Sequence, residues 1–384
     1  MKKKICIVTG SRAEYGLLRW VMYGVTNSIN LELQLVVTGM HLSPEFGFTF
    51  KEIIADGFTI DRKVEMLMSS NNNIGIAKSI GVGMLGFGDV WADLKPDLIL
   101  VLGDRFEIFA AVASAMVSQI PIAHVHGGEK TEGSIDELMR HSITKMSHLH
   151  FVATDEYRNR VIQLGEIPSR VFNVGGLGID GIKKLKLLSA HELENSLGIK
   201  FGHKNLLVTF HPEAVDDEET LRHVKELLQA FNTLNDTHLF FTMPNADAGS
   251  WIIKNEIELF KKTYKHCWLF TSMGQLNYFS MIQIVDGVIG NSSSGILEVP
   301  TFFKGSINIG HRQKGRLRSS SVIDCATNKT SIIEALSILY SKDFQSSLSQ
   351  SVNPYGNGGA SERIVSTLSS YPLKNLIGKV FHDI

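Results

Sequence analysis

Cysteine is scarce in this chain, which has 3 cysteines among 384 residues. Cys6, Cys267 and Cys325 lie far apart in the sequence and form no CxxC pair. This spacing argues against a disulfide framework or a cysteine-bound zinc ion, and it is typical of proteins of the reducing cytoplasm. An HExxH motif is also missing, and no tight three-ligand spacing stands out. We therefore expect a cytoplasmic protein that uses neither a metal nor a cofactor.

Excess charge and long apolar runs are also lacking. The formal net charge is −1, which gives no general attraction to nucleic acid or to anionic membranes. No apolar run approaches the roughly 20 residues of a membrane helix, and the apolar part of "MKKKICIVTG" is too short for a signal peptide. We expect no nucleic-acid or membrane partner, so any bound phosphate must be held by a local cluster of side chains.

Short apolar runs alternate with helical patterns along most of the chain, which is typical of parallel sheets with crossover helices. A chain of 384 residues suits two domains. We predict an α/β fold with two doubly wound, Rossmann-like domains, residues 1–178 and 179–357, followed by a helical segment at 358–384. The predicted strands cover residues 4–9, 31–39, 97–103, 120–125, 148–154 and 170–175, and then 205–211, 238–244, 267–272, 285–291, 305–310 and 322–325.

Polar clusters follow the predicted strands and are rare elsewhere. "TGSRAEYG", "GDRFE" and "HGGE" follow strands of the first set, and "HPE", "PNADAG", "GNSSSG" and "GHRQKGR" follow strands of the second. In open parallel sheets, ligands bind beyond the carboxyl ends of the strands. The clusters therefore predict a ligand cleft between two facing sheets.

The segment "VIGNSSSGILEVP" predicts a strand, a turn of small residues and a helix start. The N-terminus of a helix offers free N–H groups and a positive dipole end to a phosphate. Ser292 and Ser293 lie at this point, although either could serve only as an N-cap. Glu298 is predicted one to two turns into the same helix, either as a ligand of ribose hydroxyls or as an exposed helix residue.

Two arginines at strand ends favour a polyanionic ligand. Arg12 follows the first strand, and Arg312 lies in "GHRQKGR". A guanidinium group can clamp a diphosphate with two parallel hydrogen bonds. Arg12 could instead form an ion pair with Glu14, so its role stays open at this point.

The strand ends of the first set also carry groups suited to acid–base chemistry. Asp104 lies at the mouth of an apolar strand, where partial burial raises the basicity of a carboxylate. His126 and Glu129 flank two glycines, and Asp136 lies in the first turn of the next helix, where it could serve only as a partner of the helix dipole. Convergence of these groups favours proton transfer. His211, at the end of a later strand, would face them across the cleft.

The segment "SIDELMRHSITKM" predicts the helix that carries Asp136. Ser134 and Glu137 have the spacing of a capping box. Positions 135, 138, 139, 142 and 146 predict the buried face of this helix, and Asp136 falls off that face.

These motifs resemble those of the hydrolysing UDP-N-acetylglucosamine 2-epimerases of bacterial sialic acid pathways. The resemblance rests on "CIVTGSRAEYG", "VTGMHLSPEFG", "LVLGDRFEIF", "HVHGGEKTEG", "DELMRHSITKMSHLHF", "GNSSSGILEVP" and "INIGHRQKGR", and it covers residues 4 to about 365. It implies a GT-B architecture, in which the two domains face a central cleft and the C-terminal helix returns to the first domain. The relatives are homo-oligomers, so we expect a dimer or tetramer.

The resemblance also implies a reaction and a set of site residues. UDP-GlcNAc and water would give N-acetylmannosamine and UDP, by elimination to a 2-acetamidoglucal and hydration. By motif, the diphosphate would be bound by arginines and serines, the ribose by Glu298, and acid–base work would fall to Asp104 and Asp136. The residues expected in catalysis are Asp104, His126, Glu129, Asp136 and His211, and those expected to bind UDP or sugar are Arg12, Ala13, Gly16, Arg105, Asn245, Ser292, Ser293, Glu298 and Arg312.

One position departs from part of the family. Animal relatives and some bacterial ones have the motif His-Ile-Glu-Gly-Gly-Glu, whose first Glu is catalytic, and this chain has His126 there. We hypothesise that neutral His126, oriented by a neighbouring carboxylate, shares proton transfer with Asp104 and Asp136.

Four alternatives are open. The substrate could be UDP-N,N′-diacetylbacillosamine, in legionaminic acid synthesis. The chain could also be a non-hydrolysing 2-epimerase, a GT-B glycosyltransferase or a non-catalytic nucleotide-sugar sensor. A non-hydrolysing epimerase would release no free UDP, and a glycosyltransferase would require an acceptor. A sensor would bind the nucleotide sugar without turnover.

Overall fold

The computed structural model describes residues 2–68, 73–131, 134–213, 216–244, 249–374 and 376–384. The chain divides into two compact units. The first unit contains the residues up to Gly181 together with Gly358–Ile384, and the second contains Ile182–Asn357. Each unit is built around one parallel sheet with helices on both faces.

The sheet of the first unit has its strands in the order β3-β2-β1-β4-β5-β6-β7. All neighbouring strands are parallel. The strands are β1 (Lys3–Thr9), β2 (Leu31–Thr38), β3 (Arg62–Val64), β4 (Leu98–Leu102), β5 (Ile122–Val125), β6 (Leu149–Val152) and β7 (Val171–Asn173).

The sheet of the second unit has the order β10-β9-β8-β11-β12-β13, also with parallel neighbours. Its strands are β8 (Lys204–Thr209), β9 (Thr237–Thr242), β10 (Cys267–Phe270), β11 (Gly287–Gly290), β12 (Gly305–Ile309) and β13 (Val322–Cys325). The prediction of two doubly wound parallel sheets is therefore confirmed.

Helices connect the strands in both units, as parallel pairing requires. They are α1 (Arg12–Thr26), α2 (Phe50–Ala55), α3 (Asn73–Leu94), α4 (Phe106–Val117), α5 (Ile135–Met146), α6 (Asp155–Gln163), α7 (Leu177–Lys184), α8 (Ala190–Leu197), α9 (Asp217–Phe231), α10 (Ser250–Thr263), α11 (Gly274–Ile284), α12 (Ser294–Leu297), α13 (Lys329–Leu339), α14 (Lys342–Ser347) and α15 (Ala360–Ser370). Across the described ranges, none of these helices is long and apolar enough to cross a bilayer.

Every predicted strand is present, and one observed strand was not predicted. The missed strand is β3, which has three residues at the sheet edge, two of them exposed. So short a charged segment has no apolar alternation to reveal it. The helix predicted after the Pro/Gly/Asn stretch is also present, as α15.

Alternate residues of the central strand β1 pack in two different hydrophobic cores, one on each face of the sheet. Ile5 and Ile7 of β1 pack in one cluster with α1 and α15, whereas Cys6 and Val8 pack in another with α3 and α4. Burial on both faces explains why the strands have nearly continuous apolar sequences. Each buried aliphatic side chain contributes about 1.5–3 kcal/mol to folding.

A buried ion cluster ties the C-terminal tail to the first unit. Lys379 Nζ donates to Glu166 Oε2 at 2.7 Å and to the carbonyl oxygens of Lys145 and Ser147, at 2.5 and 2.6 Å. Glu166 also accepts from His150 Nε2 at 2.9 Å and from Lys145 Nζ at 3.1 Å. Burial alone would raise the pKa of Glu166, but the hydrogen bonds and charges of His150 and Lys379 outweigh it and lower that pKa.

We expect Glu166→Gln to lower the free energy of unfolding of the first unit by about 3 kcal/mol, because it leaves the partly buried Lys379 and the buried His150 without their carboxylate. Unfolding in urea at pH 7 measures the change. Glu156→Gln is the matched control, because Glu156 on α6 pairs with Arg160 but is 45% exposed. Loss of an exposed pair costs less than about 1 kcal/mol.

The pH dependence of this difference has a definite sign. The pKa of Glu166 is lower in the folded chain, so its contribution is present above the ordinary pKa of about 4.3 and is lost as the pH falls below it. The difference in the free energy of unfolding between wild type and Glu166→Gln should therefore become smaller below about pH 4. A difference of the same size at pH 7 and pH 3 would contradict this explanation. So would a difference at pH 7 no larger than the one that Glu156→Gln causes.

Candidate active site

Each sheet has one topological switch point, a pair of adjacent strands from which the chain adds later strands in opposite directions. It is β1 and β4 in the first unit, and β8 and β11 in the second. A crevice forms outside the carboxyl ends of such a pair, and ligands of open parallel sheets bind in it. β1 leads to Arg12 and β4 to Asp104, while β8 leads to His211 and β11 to Ser292. Residues predicted for the site thus lie at the switch point of their own sheet.

Asp104, two residues beyond β4, is held by a buried guanidinium group. Arg140 on α5 is 3% exposed, and one of its terminal nitrogens forms an ion pair with Asp104 Oδ2. The same group donates to the carbonyl oxygen of Glu129 at 2.9 Å and to Thr131 Oγ1 at 3.0 Å. Arg140 therefore joins the loop after β4 to the loop after β5.

Three other charges influence Asp104. Burial raises the pKa of the Asp104 carboxyl group, and the charge of Arg140 opposes this increase. Asp136 and Glu129 raise the same pKa by repulsion. Asp104, Asp136 and Glu129 therefore lie close enough to influence one another, which is typical of acid–base sites.

Arg105 is the N-cap residue of α4 and lies between two buried carboxylates. It donates to both oxygens of Glu107, at 3.2 and 3.0 Å, and its Nε is 3.9 Å from Glu14 Oε1. Glu14 Oε2 accepts the N–H of Gly10 at 2.6 Å. Burial and the charge of Glu107 raise the pKa of Glu14 to about 8, although Arg105 and Gly10 oppose the increase.

The first turn of α1 presents the rest of the "TGSRAEYG" motif. Arg12 and Ala13 are exposed, and Gly16 is half-buried. Ser11 is the N-cap residue and accepts the N–H of Glu14. The ion pair that Glu14 forms here is with Arg105, not the alternative pair with Arg12 that the sequence left open.

His126 follows β5 in a left-handed backbone conformation, with φ of +66°. A non-glycine residue in this conformation costs about 1–3 kcal/mol, and such strain is concentrated at functional sites. Its ring Nδ1 is 2.8 Å from Glu129 Oε1. Glu129 therefore occupies the position that the sequence-based hypothesis requires of the orienting carboxylate.

The second glycine of "HGGE" is required by close packing. Gly128 has φ of +79°, and a Cβ atom there would lie 2.5 Å from the carbonyl oxygen of Tyr157 on α6. Any side chain at this position would therefore displace the loop that carries His126 and Glu129.

The predicted buried face of α5 is wrong. Ile135 and Leu138 are 61% and 69% exposed, and the buried residues are Arg140, Ile143 and Thr144. The apolar pattern failed because Arg140 has acceptors for its guanidinium group, which allows a charged residue to turn inward. Asp136 is exposed, so it lies off the buried surface as predicted, one turn before Arg140.

The capping box predicted for α5 does not form as expected. Ser134 is the N-cap residue, but its Oγ accepts the N–H of Asp136 at 3.2 Å. Glu137 accepts the N–H of Thr131 at 2.7 Å instead of bonding to the N-cap backbone. Glu137 thus helps to hold the loop after β5, next to the bond from Arg140.

In the second unit, Asn291 holds the switch point together. Its side chain is fully buried; Oδ1 accepts the N–H of His211 at 2.7 Å and Nδ2 donates to the carbonyl oxygen of His211 at 2.9 Å. The carbonyl oxygen of Asn291 accepts from Gln313 Nε2 at 2.9 Å and from Arg312 at 3.3 Å. His211, itself buried, and Arg312 are thereby brought to the end of β11.

The end of β11 lies very close to β8. Gly290 has φ of +143°, and a Cβ atom there would be 1.8 Å from the carbonyl oxygen of Thr209. Only glycine fits this approach. It is followed by Asn291 and by the half-buried Ser292 and Ser293.

The helix predicted after these serines is much shorter than expected. α12 has four residues, and its N-cap residue, Ser293, makes no side-chain capping bond. Glu298 is at the C-cap of α12, about one turn after the helix begins, and a 3-10 turn over Val299–Phe302 follows it. Pro300 explains the early end, because the residue before a proline is disfavoured in a helix. Burial raises the pKa of Glu298, against the effects of Ser294 and Arg316.

Asn245 lies outside the described residues. Within the described ranges, no group of three or more His, Cys, Asp and Glu side chains is placed to hold a metal ion. Sequence reasoning missed Arg140, Asn291 and Gln313. Only Arg140 had a usable signal, because it follows Asp136 by four residues and so shares its helix face.

We expect Asn291→Ala to lower the free energy of unfolding of the second unit by about 2 kcal/mol, because it leaves buried backbone groups of His211 unpaired. Urea unfolding measures this loss, and faster amide hydrogen exchange at His211 locates it. Asn195→Ala is the control, since Asn195 is exposed on α8 and bonds to His191; it should change stability by less than about 0.5 kcal/mol. Unchanged exchange at His211 would refute this role of Asn291.

Comparison with known proteins supplies the family. The family model for UDP-N-acetylglucosamine 2-epimerase matches residues 25–369. The chain is 40% identical to the GDP/UDP-N,N′-diacetylbacillosamine 2-epimerase (hydrolyzing) of Campylobacter jejuni, with 100% of both chains covered. It is 41% identical to polysialic acid biosynthesis protein P7 of Escherichia coli, over 100% of this chain and 98% of the other.

A solved structure shows the same fold. It is the UDP-GlcNAc 2-epimerase of Neisseria meningitidis bound to UDP-GlcNAc, with a TM-score of 0.83 and 20% identity, over 95% of this chain and 99% of the other. The family model and the full-length relatives show that the chain belongs to the UDP-N-acetylglucosamine 2-epimerase family.

Proposed function

We propose that this chain is a hydrolysing UDP-GlcNAc 2-epimerase, which converts UDP-GlcNAc and water to N-acetylmannosamine and UDP. The observation that carries the proposal is the group of acids and bases at the switch point of the first unit, where Asp104 pairs with Arg140 and His126 pairs with Glu129. Relatives named as hydrolysing 2-epimerases match this chain over 98–100% of its length.

The reaction explains the need for these groups. No carbonyl group lies beside C-2 of the sugar, so its proton is not acidic until the C-1–oxygen bond begins to break. UDP leaves with that bonding pair, a base removes the C-2 proton, and a 2-acetamidoglucal forms. Water then adds its oxygen to C-1 while an acid delivers a proton to C-2 on the opposite face. Both steps need positioned proton donors and acceptors, and the first also needs stabilisation of the leaving diphosphate.

The roles follow the predicted domains, 1–178 for acid–base work and 179–357 for UDP. We propose that Asp104, Asp136 and the pair of His126 and Glu129 handle the protons, with His211 assisting from the second domain. Diphosphate, ribose and sugar would be bound by Arg12, Ala13, Gly16, Arg105, Asn245, Ser292, Ser293, Glu298 and Arg312. The exposed position of Arg12 after β1 and the position of Ser292 at the switch point of the second sheet support their assignment to the diphosphate.

A second candidate substrate is UDP-N,N′-diacetylbacillosamine, which differs from UDP-GlcNAc at C-4 and C-6. Two relatives, 40% and 34% identical to this chain, carry this sugar in their names. The proton chemistry at C-1 and C-2 is the same for both substrates. The two candidates therefore differ only in the pocket around C-4 and C-6.

We also propose that the chain acts in the cytoplasm as a homo-oligomer, a dimer or tetramer, without nucleic acid or membrane as a partner. The exposed apolar residues Ile74, Val82 and Leu85 of α3 support an interface on this helix, with Leu85 77% exposed.

Proton NMR in heavy water with EDTA and UDP-GlcNAc tests the proposed function. We expect release of UDP and of N-acetylmannosamine that carries deuterium at C-2, because the proton delivered in hydration comes from solvent. Asp104→Asn should reduce the rate by about 10²–10⁴. Asp155→Asn is the control, because Asp155 begins α6 and bonds to Asn173, away from these groups; its rate should match that of wild type.

Each result of this assay has one meaning. Turnover of the bacillosamine analogue alone assigns the second substrate. UDP-ManNAc without free UDP assigns a non-hydrolysing enzyme, and turnover only with an added acceptor assigns a glycosyltransferase. Binding of both UDP-sugars without any turnover would refute the proposed enzyme.

The part assigned to His126 has a separate test. We expect His126→Ala to lower kcat by about 10²–10⁴, because the variant lacks the basic Nε2, while its affinity for UDP stays within about twofold of wild type. Steady-state kinetics and calorimetric UDP binding give the two values. Turnover near that of wild type would show that Asp104 and Asp136 carry the proton transfer without this histidine.

A further inference from the structure

Arg140 is a buried guanidinium group at the switch point of the first unit to which neither the sequence analysis nor the proposed function gives a role. Its side chain is 4% exposed. All three of its bonds go to the loops after β4 and β5, to Asp104, to the Glu129 carbonyl and to Thr131. Its partners therefore lie where the proton chemistry is proposed to occur.

One partly buried arginine of the same unit has partners of a different kind. Arg158 on α6 donates to the carbonyl oxygens of Val171 and Pro168, at 3.1 Å each. Such bonds hold backbone segments together and involve no acid. Arg140 differs because one of its bonds neutralises a carboxylate at a strand end.

Four charged groups influence the protonation of Asp104. Arg140 and Asp136 lie on α5, Glu129 on the loop after β5, and Glu14 on α1. Of these four groups, three are carboxyl groups and only Arg140 is a cation. Burial and the carboxyl groups all favour a protonated Asp104, and Arg140 alone among these neighbours favours the ionised form.

We propose that Arg140 is a positioning residue that keeps Asp104 ionised and fixed between the two loops, so that Asp104 can accept a proton from the substrate. The proposal rests on the proposed function for the role of Asp104. The ion pair and the two further bonds set the direction of the carboxylate, and a planar guanidinium group suits this better than an ammonium group.

The pH dependence of kcat/KM tests the proposal, with whichever UDP-sugar the wild type turns over. A base that must be ionised gives a profile that falls on the acidic side, below its pKa in the free enzyme. Arg140→Met removes the cation, so the acidic limb of the profile should move to a pH higher by about one to three units. Activity at pH 7 should fall at least about tenfold and recover toward the wild-type value above the new limb. Arg140→Lys should give a smaller shift.

Arg158→Met is the matched control, because it removes a partly buried arginine of the same unit that bonds to backbone carbonyls. We expect it to lower stability and to leave the acidic limb in place. A loss in Arg140→Met by the same factor at every pH, or an equal limb shift in Arg158→Met, would overturn the proposal.

A direct titration separates this inference from the proposed function. In protein with 13C-labelled aspartate carboxyl groups, the signal absent from Asp104→Asn belongs to Asp104. We expect it to titrate at higher pH in Arg140→Lys than in wild type, and higher still in Arg140→Met if that variant folds. If the Asp104 signal titrates at the same pH in Arg140→Lys as in wild type, and its chemical shift is also unchanged, the proposed role of Arg140 is overturned even if wild type is active. Failure of wild type to turn over either sugar would instead refute the proposed function.

Discussion

The reversal of strand order between β1 and β4, and again between β8 and β11, determines where reactive side chains can lie in this chain. At each reversal, the helices after the two strands leave toward opposite faces of the sheet, and the strand ends between them stay uncovered. Side chains that follow these strands therefore share one crevice, however far apart they are in sequence. Asp104 and Arg12 follow one such pair of strands, and His211 and Ser292 follow the other.

Several acids in one crevice are stable only if each has a partner. Asp104 pairs with Arg140, Glu107 with Arg105, and Glu129 with His126. A buried charge without a partner costs several kcal/mol, so these pairs are what allow so many carboxylates to coexist behind one strand pair. Asp136 is the exception and is exposed at the helix N-terminus, where solvent and the helix dipole stabilise its charge.

The sequence predicts well what depends on local pattern and poorly what depends on a distant partner. Strands buried on both faces leave apolar runs, so nearly all of them were found, and the polar clusters after them marked the strand ends. The inward face of α5 was missed because Arg140 is buried against acceptors outside its helix, of which Asp104 lies 36 residues away. The bridging role of Asn291 was missed because its partner, His211, is 80 residues away. The early end of α12 is a local effect of Pro300 that apolar spacing alone does not show.

The conformation of His126 connects the fold to the departure from the catalytic Glu of some relatives. With φ of +66°, the position suits histidine better than most side chains, since His, Asn and Asp are enriched among non-glycine residues there. A carboxylate at this position would repel Glu129, and one of the two would be driven toward its protonated form. Histidine carries no negative charge, so it avoids this repulsion, and its Nδ1 lies 2.8 Å from Glu129 Oε1. The left-handed backbone and the nearby carboxylate together therefore favour histidine over a second acid at this position.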